Sequence, residues 1–433
     1  MCIEMIREEM MTHKPTVQVF GNLNDLPTDF IQEFCSDFEV IARSGGARDP
    51  IFSFQTEVSC AHAVIALPSA HPFTLMTVIE EAAVQHPFLF NRDAKNINER
   101  KQKPIVFLGE EKSWRSFHES FQEMKQQGLM RDSFDVVRFI EHPREAKEYI
   151  QAGLPQHLEF DRSEQFYHSR LPNVLFREIN AADRVKQRDG TIAFYGSASS
   201  NAPQHLERAE RAVEMCQHLG MNVLHGGGIS SVMGQLSKSA QERSLYVVGV
   251  SVDGIGAPGI VGKELGGKIQ RPENVSEYIA CKSMIHRIEE YHNRVNANIA
   301  LDGGIGSTQE VLMTATLMSI GHSAVSNKDR HGAQVLKPLY LVNEGGIWSG
   351  FEKYLRDRDL GVLLEQMQIV PNMDRLEISL GEHFRQHPPV AISPRLDLRD
   401  SYHRQAHGIP NLDTLPASPY SIQQERDEER LNP

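Results

Sequence analysis

The chain has no long hydrophobic run. Nowhere in its 433 residues do about 18 uncharged apolar residues follow one another, so no membrane-spanning helix is expected. Cysteine is scarce: Cys2, Cys35, Cys60, Cys216 and Cys281 are scattered, with no CxxC pair. An odd, dispersed set argues against a disulfide framework and for a reducing, cytoplasmic setting. The 19 histidines show no ligand spacing and HExxH is absent, so no metal is expected. There is no basic stripe with interleaved aromatics, and the formal net charge is −12, which argues against nucleic acid as a partner. The first residues, Met1 to Met11, carry acids within a short apolar stretch and do not read as a signal peptide. Residues 1–14 are taken as a leader.

What is present is an alternation of strands and helices. The length predicts two or three domains. In the first half, apolar runs at 15–22, 62–67, 104–108 and 136–139 read as strands. Helical patterns lie at 28–38 and 73–84, through Trp114, Phe117 and Phe121, and up to residue 152. The order recurs in the second half, with strands at 191–197, 223–225, 246–252 and 297–301 and helices at 204–219, 231–243 and 281–293. The prediction is α/β: two Rossmann-like, doubly wound parallel-sheet domains in tandem, 15–152 and 189–385. Residues 153–188 read as a polar connector with some helix. Residues 386–433 are Pro-rich and polar and read as a tail that builds no core.

The halves also match in register. Ala63, Ile65, Ala66 and Leu67 correspond to Ala297, Ile299, Ala300 and Leu301, and Lys103-Pro104 to Lys337-Pro338. The only two tryptophans, Trp114 and Trp348, correspond too, as do Phe117 and Phe351, all at an interval of 234 residues. One register held through about 55 residues predicts an internal duplication. The copies differ where chemistry would sit. Gly303, Gly304 and Gly306 fall on Ser69, Ala70 and Pro72, Glu310 falls on Met76, and Arg287 falls on Ser53.

Three glycine-bearing turns end three strands of the second half: Gly196-Ser197, Gly226-Gly227-Gly228 and Gly303-Gly304-Ile305-Gly306. In an open parallel sheet such turns line one crevice. The last reads as strand, turn, helix, with Ser307 and Thr308 at the expected N-cap and Val311, Leu312, Ala315 and Met318 on one helical face. Glycines let backbone approach a ligand, and the unpaired N–H groups and dipole of a helix N-terminus favour an anion. Glu310, expected in the first turn, either caps the helix or does acid/base work beside a phosphate. Arg287 either pairs with Glu289 or Glu290 on its own helix or stabilises charge in the crevice. His225, before a glycine turn, either lines the crevice or is a satisfied turn histidine. Gly254 to Gly259 spells GxGxxG, but Pro258 and the lack of a following helix make it a loop.

The run Tyr195-Gly196-Ser197, Gly226-Gly227-Gly228 through Met233-Gly234, Met284-Ile285-His286-Arg287 and Gly303 to Glu310 resembles the Lonely Guy (LOG) family in order and spacing. Its hallmark is PGGxGTxxE preceded by a helix bearing Met-x-x-Arg-Lys, and the resemblance covers about 189–380. It implies a phosphoribohydrolase that cleaves a nucleoside 5′-monophosphate to free base and ribose 5-phosphate without a cofactor. Glu310 and Arg287 map to the catalytic pair. Gly196, Ser197, Gly226, Gly227, Gly228, Met284, Gly303, Gly304, Gly306, Ser307 and Thr308 map to the substrate- and phosphate-binding set. Asp302 replaces the proline, Ser307 the threonine, Ile288 the lysine and Ser231 a glycine. A carboxylate at 302 repels a phosphate dianion unless it is paired or points away. Because LOG-like proteins pair as dimers, the first copy is expected to replace a partner subunit, making the chain a pseudo-dimer; whole chains can still pair further. The alternative is a non-catalytic nucleotide-sensing protein, with a sugar-phosphate transferase as a distant third.

Overall fold

Every central strand of both sheets is buried on both faces, which is why the sequence shows solid apolar runs rather than alternation. The computed structural model describes residues 14–43, 61–70, 104–129, 137–154, 174–180, 185–252, 274–281, 284–319, 321, 325–328 and 334–389. The expected leader, the helix at 73–84, the GxGxxG stretch and almost all of the tail lie outside the described residues.

The first sheet uses β1 (Thr16–Phe20), α1 (Thr28–Asp37), β2 (Glu39–Arg43), β3 (Ala63–Ala66), β4 (Ile105–Leu108), α2 (Glu111–Gln126), β5 (Val137–Ile140) and α3 (Pro143–Gly153). Its strands are all parallel, in the order β2-β1-β3-β4-β5. The second half begins with β6 (Val174–Ile179), β7 (Gly190–Tyr195), α4 (Pro203–Leu219), β8 (Met221–His225), α5 (Ser231–Glu242) and β9 (Val247–Val252). It continues with β10 (Glu277–Cys281), α6 (Met284–Arg294), β11 (Ala297–Ala300), α7 (Ile305–Ser319) and the small hairpin β12 (Ser326–Lys328) and β13 (Gln334–Leu336). β14 (Leu339–Val342), α8 (Ser349–Asp357), α9 (Gly361–Leu364), β15 (Gln368–Val370) and α10 (Met373–Gln386) complete it.

The second sheet runs β15-β14-β11-β7-β8-β9-β10-β6 and is parallel except for β6. Its segment β8-β7-β11-β14-β15 has the same strand order as the first sheet, with β9 and β10 intervening along the chain between β8 and β11. β3 and β11 begin 234 residues apart (297 − 63), and so do β4 and β14 (339 − 105).

Four expectations change. The connector supplies a strand, β6, which pairs antiparallel with β10 at the sheet edge; buried Glu277 on β10 fastens it by accepting from Arg177 Nε at 2.6 Å. The helix expected from 281 starts at Met284, because Cys281 is the last residue of β10. The helix carrying Glu310 starts at Ile305, so Ser307 and Thr308 are not N-caps and Glu310 lies in the second turn. Thr308 closes that first turn itself: its N–H and its hydroxyl both donate to the Gly304 carbonyl, each at 3.0 Å. Nor is α7 amphipathic as expected: buried residues surround its whole circumference, so it runs inside the molecule.

Both sheets belong to one compact unit that extends to Ile392. Each has a private core on its outer face: Val17, Val19, Ile65 and Val106 under α1 and α3, and Ile192, Phe194, Val223 and Ile299 under α4 and α10. A third core is shared. Phe20, Phe107, Trp114 and Phe117 of the first half join Tyr195, Met313, Trp348, Phe351 and Tyr354 of the second. Helices α2 and α8 meet there, with the Phe117 and Tyr354 ring centroids 4.8 Å apart. Burying each such aromatic contributes on the order of 1.5–3 kcal/mol, so this seam is a core rather than a hinge. Among the described residues, no helix is long and apolar enough to cross a membrane.

Candidate active site

Strands β7, β8 and β11 are adjacent, so the turns at their carboxyl ends meet. The Ser197 N–H donates to the Asp302 carbonyl at 2.8 Å, joining the first turn to the third. Ser197 Oγ accepts from the N–H groups of Ser199 (3.0 Å) and Ser200 (3.1 Å), so this hydroxyl organises its own loop. It also donates to the Leu129 carbonyl of the first half at 3.4 Å.

Several glycines are consumed by packing. A Cβ on Gly196 would lie 2.6 Å from Val232 Cγ1, and one on Gly228 would lie 2.5 Å from Met233 Cε. A Cβ on Gly303 would collide with Ser307. Gly226 bears on Arg287 directly: a Cβ there would lie 2.8 Å from Met233 Sδ and 3.2 Å from both Arg287 Nη2 and the Tyr291 hydroxyl. Its missing side chain is the space that Arg287 enters. Gly227 has φ +72°, the left-handed region that glycine enters without strain. Met284 opens α6, and Gly304, Gly306, Ser307 and Thr308 lie at the start of α7 or just before it.

Arg287 reaches off its own helix to α7. Glu290 is taken by Arg294, at 2.8 Å, while Arg287 Nη2 donates to Glu310 Oε1 on α7. The carboxylate is buried (3% exposed) and the guanidinium nearly so (12%). A buried carboxylate is costly unless a charged donor meets it, and Arg287 is that donor. The two candidate catalytic residues, on separate helices, are therefore in direct contact at the mouth of the β8 and β11 turns.

His225 is the satisfied turn histidine of the two alternatives. It is fully buried, its Nδ1 accepts from Gly227 N–H at 3.1 Å, and its Nε2 lies 2.6 Å from Ser237 Oγ. Burial, with the Arg287 charge acting in the same direction, pushes its pKa down to about 4. The ring is thus a neutral acceptor under the turn.

Asp302 is 1% exposed, and its carboxylate is held in a clamp. Arg208 of α4 grips it with both forks, Nε to Oδ2 at 2.7 Å and Nη2 to Oδ1. His205 Nε2 stands 3.7 Å from Oδ1, and burial pushes that histidine's pKa down despite the nearby carboxylate. The negative charge that replaces the family proline is therefore matched before any ligand arrives. Ser231, in place of a glycine, keeps a glycine-like backbone, φ +61°, and its hydroxyl donates to the Ser200 carbonyl. Ile288, in place of the family lysine, is fully buried.

Two residues of this site carried no mark in sequence: Arg208 and Tyr291. Tyr291 stands one helical turn beyond Arg287, a spacing that can be inspected once Arg287 is chosen. Arg208 lies 94 residues from Asp302, and nothing local links them. Among the described residues, no group of three or more His, Cys, Asp or Glu could hold a metal ion.

A family model described as "Possible lysine decarboxylase" matches residues 233–373. The probable cytokinin riboside 5′-monophosphate phosphoribohydrolase LOGL3 of Oryza sativa subsp. japonica is 28% identical over 189 residues, covering 44% of this chain and 77% of that protein. The cytokinin riboside 5′-monophosphate phosphoribohydrolase of Mycobacterium marinum is 24% identical over 189 residues, 42% of this chain and 89% of that protein. Among solved structures, the molybdenum cofactor binding protein of Rippkaea orientalis aligns with 46% of this chain and 99% of its own, at 16% identity and a TM-score of 0.33. Over part of its length and at low identity, the chain is similar to the LOG family, whose curated members carry the name phosphoribohydrolase.

Proposed function

We propose that the chain is a phosphoribohydrolase acting on a nucleoside 5′-monophosphate. The observation that carries this reading is the contact between Glu310 and Arg287 beside the turns that end β8 and β11. The turn at 303–306 and the start of α7 take the 5′-phosphate, where first-turn N–H groups and the helix dipole favour an anion. Glu310 faces the ribose. As the C1′–N bond breaks, the electron pair leaves with the base and positive charge grows on the ribose ring, which a carboxylate stabilises. Water then adds to C1′, Glu310 assists its deprotonation, and the base carries away a proton. Arg287 holds Glu310 in place and offsets charge at the phosphate side. The products are free base and ribose 5-phosphate.

We read the first half as a degenerate copy that stands in for a partner subunit. The shared strand order, the 234-residue interval and the common core under α2 and α8 support this. A second reading, a nucleotide sensor without turnover, draws on the same duplication, since one copy has lost its glycines and acid.

The test is incubation with AMP, GMP, CMP and UMP, with free base read by chromatography and ribose 5-phosphate by a coupled assay. Base release by the wild type and its loss in Glu310→Ala is the expected result. Saturable binding of a monophosphate with no base released favours the sensor and rejects the enzyme.

A further inference from the structure

Arg287 and Glu310 are joined a second time, through two buried tyrosines. Arg287 Nε donates to the Tyr291 hydroxyl at 3.3 Å, and its guanidinium carbon lies 5.4 Å from the Tyr291 ring centroid. Tyr291 is fully buried and stacks on Tyr195 of β7, with centroids 5.7 Å apart and planes 13° from parallel. The Tyr195 hydroxyl lies 2.9 Å from Asn298 Oδ1 on β11 and 3.0 Å from Thr314 Oγ1 on α7. Thr314, one turn beyond Glu310, donates to the Glu310 carbonyl at 2.7 Å. The contacts close a ring: Glu310 carboxylate, Arg287, Tyr291, Tyr195, Thr314 and back to the Glu310 backbone.

Each link suits the task. An arginine has four flexible torsions and is held only as well as its contacts hold it. A tyrosine has two, and a stacked, buried one fewer in practice. Burial pushes the Tyr195 hydroxyl's pKa above its ordinary value, so it stays a neutral group in the core. The ring spans β7, α6 and α7, the three elements whose relative placement sets the distance between Arg287 and Glu310.

We propose that Tyr291, braced by Tyr195, is a positioning residue that fixes the Arg287 guanidinium against Glu310 for the reaction. The proposal rests on the phosphoribohydrolase reading for its kinetic consequence, but not for its structural one. Neither tyrosine touches substrate in this account; each acts through Arg287.

The test uses Tyr291→Phe, which keeps the ring and its stack and deletes only the hydroxyl, in the full chain. The expected result is a kcat lower by about tenfold, with KM within about twofold and a melting temperature within about 2 °C of wild type. In a crystal structure of the variant, the guanidinium is expected to have left Glu310. Tyr195→Phe, one step further away, is expected to lose less. An unchanged kcat with Arg287 still seated on Glu310 overturns the proposal. So does a loss of activity that only tracks a fall in melting temperature, since that marks a packing role. If the wild type releases base from none of the four monophosphates, the enzyme reading fails separately. The variant's structure then decides alone: a displaced Arg287 upholds the positioning role, and an undisplaced one ends it.

Discussion

Lys353 Nζ lies 2.6 Å from Glu119 Oε2, and the two residues are 234 positions apart. Under the proposed duplication they are counterparts, one on α2 and one on α8. A position that touches its own counterpart lies at a two-fold axis, as in any isologous interface. The sign of each charge then matters. Two second halves paired this way would set Lys353 against Lys353, and two first halves Glu119 against Glu119. The opposite charges suit only the pairing of unlike halves, a device that selects a partner more than it adds stability. Charge reversal at one position, Glu119→Lys or Lys353→Glu, is expected to lower the melting temperature by no more than about 2 °C at low salt, because both side chains are half-exposed. The double swap is expected to restore it, and salt to erase the difference. Equal melting temperatures for single and double variants at low salt would show that the two charges do not interact.

The α/β class and the central strands were legible from residues alone, for one physical reason. Strands buried on both faces appear as apolar runs, and each run stops at glycines where its turn is tight. Arg287 and Glu310 were singled out together only by the family resemblance, since local spacing left Arg287 open between its own helix and the crevice. The rest failed where tertiary contacts override local chemistry. Ser307 and Thr308 look like helix caps, but Gly304 supplies the accepting carbonyl and the helix starts earlier. The polar connector hides β6 because an edge strand needs little apolar surface when a buried glutamate anchors it. Asp302 is the clearest case. From sequence it is an unexplained charge beside a phosphate turn, and only the fold brings Arg208 to it.

That clamp predicts a large effect. Asp302→Asn keeps the shape but takes the bidentate counter-charge from the buried Arg208 guanidinium and leaves it only Glu344, 3.9 Å away, so the expected cost lies at the lower end of about 3–5 kcal/mol. Urea denaturation measures it. Pairing Asp302→Asn with Arg208→Met removes the stranded charge and is expected to recover more than half of the loss. If the double variant is as unstable as the sum of the singles, Arg208 and Asp302 do not act as a pair.

Ser231 offers a smaller and cleaner measurement. Its φ of +61° costs a residue with a side chain about 1 kcal/mol. Its hydroxyl returns a similar amount by donating to the Ser200 carbonyl. Ser231→Gly loses both terms and is expected to leave stability nearly unchanged. Ser231→Ala keeps the strain and loses the bond, so it is expected to be less stable than Ser231→Gly by about 1 kcal/mol. Indistinguishable alanine and glycine variants would mean that the backbone at 231 relaxes without cost.

His225 links the site to pH. In the unfolded chain it titrates near 6.5, and in the folded protein near 4. Between those values the unfolded state binds a proton that the folded state refuses, so acid favours unfolding. The contribution is fully present above pH 6.5 and is lost progressively as pH falls toward 4, at about 1.4 kcal/mol per pH unit. Other groups titrate in the same window, so the informative quantity is a difference in slope. His225→Asn retains an acceptor for the Gly227 N–H and has no titrating ring. Its unfolding free energy is expected to fall less steeply than that of wild type between pH 6.5 and 4, by up to that amount per unit. Parallel slopes would mean that the folded protein admits a proton at His225, and that the turn under Arg287 is wetter than its packing indicates.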